Sequence, residues 1–172
     1  MKFKPGAIVL ALAVLVPGCD NPPTEVTESA RSLVYSHAFE SPADTIGWSE
    51  YGSLELYPSA PSGGGSWSVR VSGGCLVPHA HASIRIQSDA GPVVLQCWGK
   101  NLATGGSVQL HKKGDRSTSI WIQVTDTSWM KYRSSGTLNC SANDTLELEM
   151  ASGGIIFSAM LIDNLEIQKV QN

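Results

Sequence analysis

Between Gly91 and Val124 the chain runs through three segments of two-residue alternation, Val93–Lys100, Ser107–Lys112 and Ser119–Val124. A strand with one buried face alternates in this way, because successive side chains point to opposite sides of a sheet. One phase (Val93, Leu95, Cys97, then Val108, Leu110, then Ile120, Ile122, Val124) is small and apolar and supplies a core face. The other carries Gln96, Trp98, Lys100, then Gln109, His111, Lys113, then Trp121, Gln123. A merely solvated face has no need of two tryptophans among amide and imidazole groups. Each such ring presents roughly 150–250 Å² of surface, and leaving two exposed without a partner costs solubility. Flat apolar rings bordered by hydrogen-bonding groups suit a ligand with apolar C–H faces and a rim of hydroxyls, which is a sugar.

The same alternation recurs on either side. Leu33–Glu40 reads as a first strand, followed by a loop through Pro42 and Asp44 to Gly47-Trp48 and then Ser53–Tyr57. Trp48 and Tyr51 lie in that loop, either as one wall of a cleft or as a pin for the loop itself. Pro58–Gly65 is a turn region. Ser66–Ser72 directs Trp67, Val69 and Val71 inward; Ala82–Gln87 directs Ile84 and Ile86 inward and Arg85 and Gln87 outward. Trp129, beside a further short strand, is assigned to the core. Thr145–Met150 places Leu146, Leu148 and Met150 inward and Glu147 and Glu149 outward, and segments from Ile155 to Lys169 close the chain. Nine or ten short strands separated by turns predict an all-β domain, a β-sandwich jelly roll of two antiparallel sheets over residues 33–170.

Composition agrees and excludes one class of partner. The 172 residues support one domain, with 17 glycines, nine prolines and only 16% charged residues. A net charge of -3 and the absence of any basic cluster argue against nucleic acid.

At the N-terminus Lys2 and Lys4 precede an apolar run from Ala7 to Val16, and Pro17-Gly18-Cys19 follows. Ten apolar residues are too few to span a bilayer, which takes roughly 20; the pattern is that of a secretory signal peptide, residues 1–18. Leu15-Val16-Pro17-Gly18-Cys19 resembles the lipobox of bacterial lipoproteins, which implies lipidation of Cys19 and a protein exported to the bacterial cell envelope and held on a membrane. Residues 19–32 then carry Pro22, Pro23, Glu25 and Glu28 with little to bury, the composition of a flexible tether.

Several phrases of the domain resemble the jelly-roll carbohydrate-binding modules of families four, nine and twenty-two, a galactose-binding-like type. Phe39-Glu40 with Gly47-Trp48 resembles their opening, and Ser66, Ser68 and Val69 their third strand. Leu95, Trp98 and Lys100 resemble the central strand, Trp129 with Tyr132 their W-x-x-Y, and Leu146 with Leu148, then Ile162-Asp163-Asn164-Leu165, their ending. Val93 departs from the pattern, since these modules commonly carry an aromatic there. The resemblance implies non-catalytic binding of a polysaccharide or oligosaccharide by a monomer; the outward phases of the strands supply Trp98, Trp121, Gln96, His111, Gln123, Gln109 and Arg85 as the expected binding residues. It also implies one structural calcium between the first and last strands, held by Glu40 and Asp163 with Asp44 as a further donor, because carboxylates and backbone carbonyls suit that hard cation.

Beyond Cys19 three cysteines remain, so at most one internal disulfide forms. Cys97 lies in a core phase; Cys75 and Cys140 lie in polar turns of an exported chain and are the expected pair. His79 and His81 lack a third ligand nearby and read as a solvated loop. Glu147 and Glu149 alternate on one strand face, but nothing around them signals a raised pKa, and no nucleophile or metal-protease motif occurs, so the chain is not expected to be an enzyme. The competing expectation is an envelope lipoprotein that uses the same sandwich for protein contact or structure, with both tryptophans in a dry interface.

Overall fold

The computed structural model describes residues 33–51, 53–73, 81–89, 91–154 and 157–170. The expected signal peptide, the Cys19 lipidation site, the tether and Cys75 lie outside these residues. Within them the chain forms twelve strands: β1 (Leu33–His37), β2 (Ser49–Tyr51), β3 (Ser53–Tyr57), β4 (Ser68–Ser72), β5 (His81–Gln87), β6 (Gly91–Ala103), β7 (Gly106–Lys112), β8 (Asp115–Val124), β9 (Met130–Arg133), β10 (Leu138–Cys140), β11 (Thr145–Ser152) and β12 (Ala159–Lys169). A single 3-10 turn, Pro42–Thr45, follows β1. The strands make two antiparallel sheets. The first has the order β10-β6-β12-β4-β3, with β1 added on β12 and β9 on β6; the second has the order β2-β5-β11-β7-β8. This is the β-sandwich that the alternation predicts.

The inward phases meet as one core. Leu146, Leu148 and Met150 of β11, Val108 and Leu110 of β7, and Ile120, Ile122 and Val124 of β8 pack against Val69 and Val71 of β4, Leu95 and Cys97 of β6, and Ile162, Leu165 and Ile167 of β12. Ile162 and Leu165 are three apart, which strict alternation forbids. A register shift between Asp163 and Glu166, with Asn164 at a positive φ of 45°, inserts the extra residue and returns both side chains to the core. Trp48 joins this core as the pin of its loop, beside the rings of His37 and Phe39.

The turn between β6 and β7 decides where the site is. Thr104 (φ 60°) and Gly105 (φ 68°) are left-handed, and the Asn101 side chain accepts a 2.6 Å bond from the Gly105 amide. This corner carries the chain out of the first sheet and into the second. A Cβ on Gly105 would run into the carbonyl oxygen of Val124, so only glycine fits.

Three assignments, of Trp67, Ser68 and Cys140, need correction. Trp67 lies just before β4 and is 38% exposed, while Ser68, read as outward, is fully buried. Cys140 is not in a polar turn: it lies on β10, opposite Gly91, and packs into the core as a free thiol directed at the Leu138 carbonyl. Among the described residues its thiol has no disulfide partner, and Cys75, the expected one, lies outside them. Cys97 is buried as expected, and burial pushes its thiol up to about 12.

Candidate functional site

The outer face of the second sheet is built from the residues that alternate with the core set. Strand register lines them up in rows across the sheet. One row runs Ser83 (β5), Glu149 (β11), Gln109 (β7), Trp121 (β8). The row on one side holds Ala151, Ser107 and Gln123, and the row on the other holds Arg85, Glu147 and His111. Directly paired residues on one face have Cβ atoms about 4.5–5.5 Å apart, so Trp121 and Gln109 are immediate neighbours. Trp121 is 56% exposed, a large apolar ring standing on an open sheet between two amide side chains.

One side of this face is charged. Arg116 Nη2 donates to Glu149 Oε1 at 2.5 Å, and Arg85 Nε lies 3.9 Å from Glu147 Oε1. A hollow of about 450 Å³ opens beside them, lined by Gly47, Ser83, Ile84, Arg85 and Glu147. A second, of about 280 Å³, lies at the other end of the face against Ser107, Gln123 and Gly153. Trp121 thus stands among an amide-rich end, an arginine-carboxylate end and two shallow depressions.

The expected binding set is split by the topology. Gln109, Gln123, Arg85 and Trp121 share this face, but Trp98 and Gln96 do not. They sit on β6, in the first sheet, and their phase points away from the core on the opposite side of the molecule. Trp98 is half-buried and in register with Asp163 and Lys131. Gln96 is buried and donates from Nε2 to Gln168 Oε1 at 2.8 Å, which occupies it structurally. His111 belongs to the second-sheet face but is only 1% exposed, so it has no surface to offer an arriving sugar. Glu149 and Arg116 were not among the expected binding residues. Glu149 was visible as an outward residue of β11. Arg116 reaches this face because β8 bulges: Leu110 pairs with Ile120 but Lys112 with Asp115, a register break that no local pattern announces.

The expected calcium ligands do come together. Asp163 is fully buried, and the Gly63–Gly65 segment is pressed against it and Glu40: a Cβ on Gly64 would lie 2.8 Å from Asp163 Oδ2, and one on Gly65 would collide with the Glu40 carboxylate. The Ser66 amide donates to Glu40 Oε2 at 3.1 Å, and the Asn164 amide to Asp163 Oδ1 at 2.7 Å. Burial, reinforced by the negative charge of Glu40, raises the Asp163 carboxyl to about 6. Two close carboxylates in a glycine-walled cradle, one of them buried, are a donor set that fits a hard cation. Asp44 is not part of it. Its Oδ2 accepts from the Glu40 and Ser41 amides and the Ser41 hydroxyl, which fixes the 3-10 turn and holds its carboxyl below the usual range.

No protein-family model matches the sequence, and no curated protein matches it. Solved structures do match the fold. The CBM22-1 xylan-binding domain from Paenibacillus barcinonensis Xyn10C is similar at 19% identity over 83% of this chain and 98% of that one, with a TM-score of 0.57. The carbohydrate-binding module CBM6cm-2 from Cellvibrio mixtus lichenase 5A, solved with cellotriose, is similar at 15% identity over 81% of this chain and all of that one, with a TM-score of 0.52. The enzymatically active domain of tailspike protein 4 from bacteriophage CBA120 contains a similar fold, at 16% identity over 77% of this chain and 20% of that one, with a TM-score of 0.60. The chain thus has the fold of a carbohydrate-binding module, a fold that larger enzymes also carry as one part.

Proposed function

We propose that this chain is a non-catalytic carbohydrate-binding protein that takes a polysaccharide or oligosaccharide across the outer face of its second sheet. The observation that carries this reading is Trp121, whose exposed ring stands in register with Gln109 and one row from Gln123. A pyranose stacks its C–H face on the indole while its hydroxyls reach the flanking amides, Arg85 and Arg116. The fold shared with modules described as xylan-binding or solved with cellotriose supports the same reading. Trp98 and Gln96 are no part of this surface. A lipid on Cys19 holds the protein, as a monomer, to a membrane of the bacterial cell envelope, and residues 20–32 space the sandwich from it. Calcium between Glu40 and Asp163 serves structure, not chemistry.

The test is a polysaccharide-binding screen on the purified protein with Trp121→Ala and Trp98→Ala beside it. Trp121→Ala is expected to weaken binding about tenfold or more, the loss of about 1.5–3 kcal/mol of apolar contact, while Trp98→Ala leaves affinity unchanged. If no glycan binds a folded parent, the reading fails and the exposed ring belongs to a protein contact. If Trp98→Ala abolishes binding and Trp121→Ala does not, the ligand lies on the first sheet.

A further inference from the structure

His111 has no part in stacking a sugar, yet it is held on the second-sheet face in an unusual state. Its Nδ1 lies 3.0 Å from the carbonyl oxygen of Lys112. A carbonyl only accepts, so Nδ1 carries the hydrogen, and the free lone pair of a neutral ring is on Nε2. That atom is buried and has no hydrogen-bond partner. An orphaned buried nitrogen is costly, and here it points between two carboxylates. Glu147 Oε2 and Glu149 Oε2 each lie 3.8 Å from Nε2.

A separation of 3.8 Å is too long for a hydrogen bond to either oxygen. It suits two ligands of one ion, each bonded at about 2.0–2.2 Å. The three donor atoms all lie within 4.8 Å of one another. The arginines divide the work with His111: Arg116 meets Glu149 through Oε1 and Arg85 approaches Glu147 through Oε1, leaving both Oε2 atoms toward the imidazole. Strand register fixes the arrangement. His111 pairs directly with Glu147, and Glu149 is the next outward residue of the same strand. The carbonyl holding Nδ1–H sets the ring's tautomer, as an outer-shell partner of a metal-bound histidine does. The glutamates are partly exposed, at 21% and 14%, which leaves an entry path.

We infer that His111 Nε2, Glu147 Oε2 and Glu149 Oε2 form a binding site for a divalent cation of the zinc class. One nitrogen and two carboxylate oxygens suit a borderline ion such as Zn²⁺ or Co²⁺ better than calcium, which takes six to eight oxygens. Remaining coordination positions open on the face that Trp121 borders. The site is distinct from the Glu40–Asp163 pair, and it stands whether or not the face binds sugar.

The experiment is titration of the chelator-stripped protein with Zn²⁺ by calorimetry, and with Co²⁺ by visible absorption. The parent is expected to bind one ion with histidine and carboxylate ligation. His111→Ala is expected to weaken binding by at least about tenfold, no less than the loss of an outer-shell partner costs. Because His111 is buried, Glu147→Gln and Glu149→Gln serve as variants that keep the packing, with the same loss expected. His79→Ala/His81→Ala and Asp163→Asn are expected to bind as the parent does. No binding by the folded parent, binding unchanged in both glutamine variants, or binding lost with His79 and His81 overturns the assignment.

Discussion

Gln96, Gln109 and Gln123 look alike in the sequence, each an amide in the outward phase of a strand, yet they have different fates. Gln109 and Gln123 flank Trp121, while Gln96 is buried with its partner Gln168 seventy-two positions away. Periodicity tells which side of its own strand a residue occupies; it carries nothing about a partner so distant in sequence. The same holds for His111, whose outward phase was legible and whose burial beneath two glutamates was not. Gln96→Ala removes the donor to Gln168 in a buried setting and is expected to destabilise the fold by about 1–2 kcal/mol. Sugar affinity should stay where it was. Chemical denaturation checks the first statement and the glycan titration the second; a loss of affinity without a loss of stability would return Gln96 to the binding face.

At the scale of elements, the phases of β6, β7, β8 and β11 were legible because apolar side chains on one side of each strand have nowhere to go but a core. What the alternation does not contain is the sheet to which each strand belongs. Consecutive strands often pair, and reading β6, β7 and β8 as one surface follows that tendency. The Thr104-Gly105 corner overrules it and sends Trp98 and Trp121 to opposite sides of the sandwich. Gly105 therefore carries more than a turn. Gly105→Ala sets a methyl group against the Val124 carbonyl and strains a left-handed residue, and it is expected to cost about 2 kcal/mol or more. Gly114→Ala is the comparison: the residue has a φ of 82° but open space around it, so only the conformational part, about 1 kcal/mol, is expected. Equal urea midpoints for the two variants would show that the crossover tolerates a side chain.

For the whole molecule, the Glu40–Asp163 pair ties together parts of the chain that are far apart in sequence. Glu40 follows β1, Asp163 sits at the bulge of β12, and the glycine segment pressed on both lies between β3 and β4. Phe39-Glu40 and Ile162-Asp163-Asn164-Leu165 marked this junction in the sequence, whereas the glycines read only as a turn. Without a cation the pair is a burden, because burial and Glu40 both oppose ionisation of Asp163. Calcium bound only by the folded state adds RT ln(1 + [L]/Kd), about 2.7 kcal/mol when its concentration is a hundred times Kd. For a domain of this size that is a rise of roughly 5–10 °C in Tm, reversed by chelator. Asp163→Asn separates this account from simple acid-acid repulsion. The substitution removes a buried charge but keeps an oxygen to accept from the Asn164 amide, so at neutral pH its stability in chelator should equal or exceed the parent's. Its response to calcium should vanish. A parent indifferent to calcium, or a variant that still responds, would leave Asp163 as a buried acid beside an exposed Glu40, its own raised proton affinity and not an ion closing the junction.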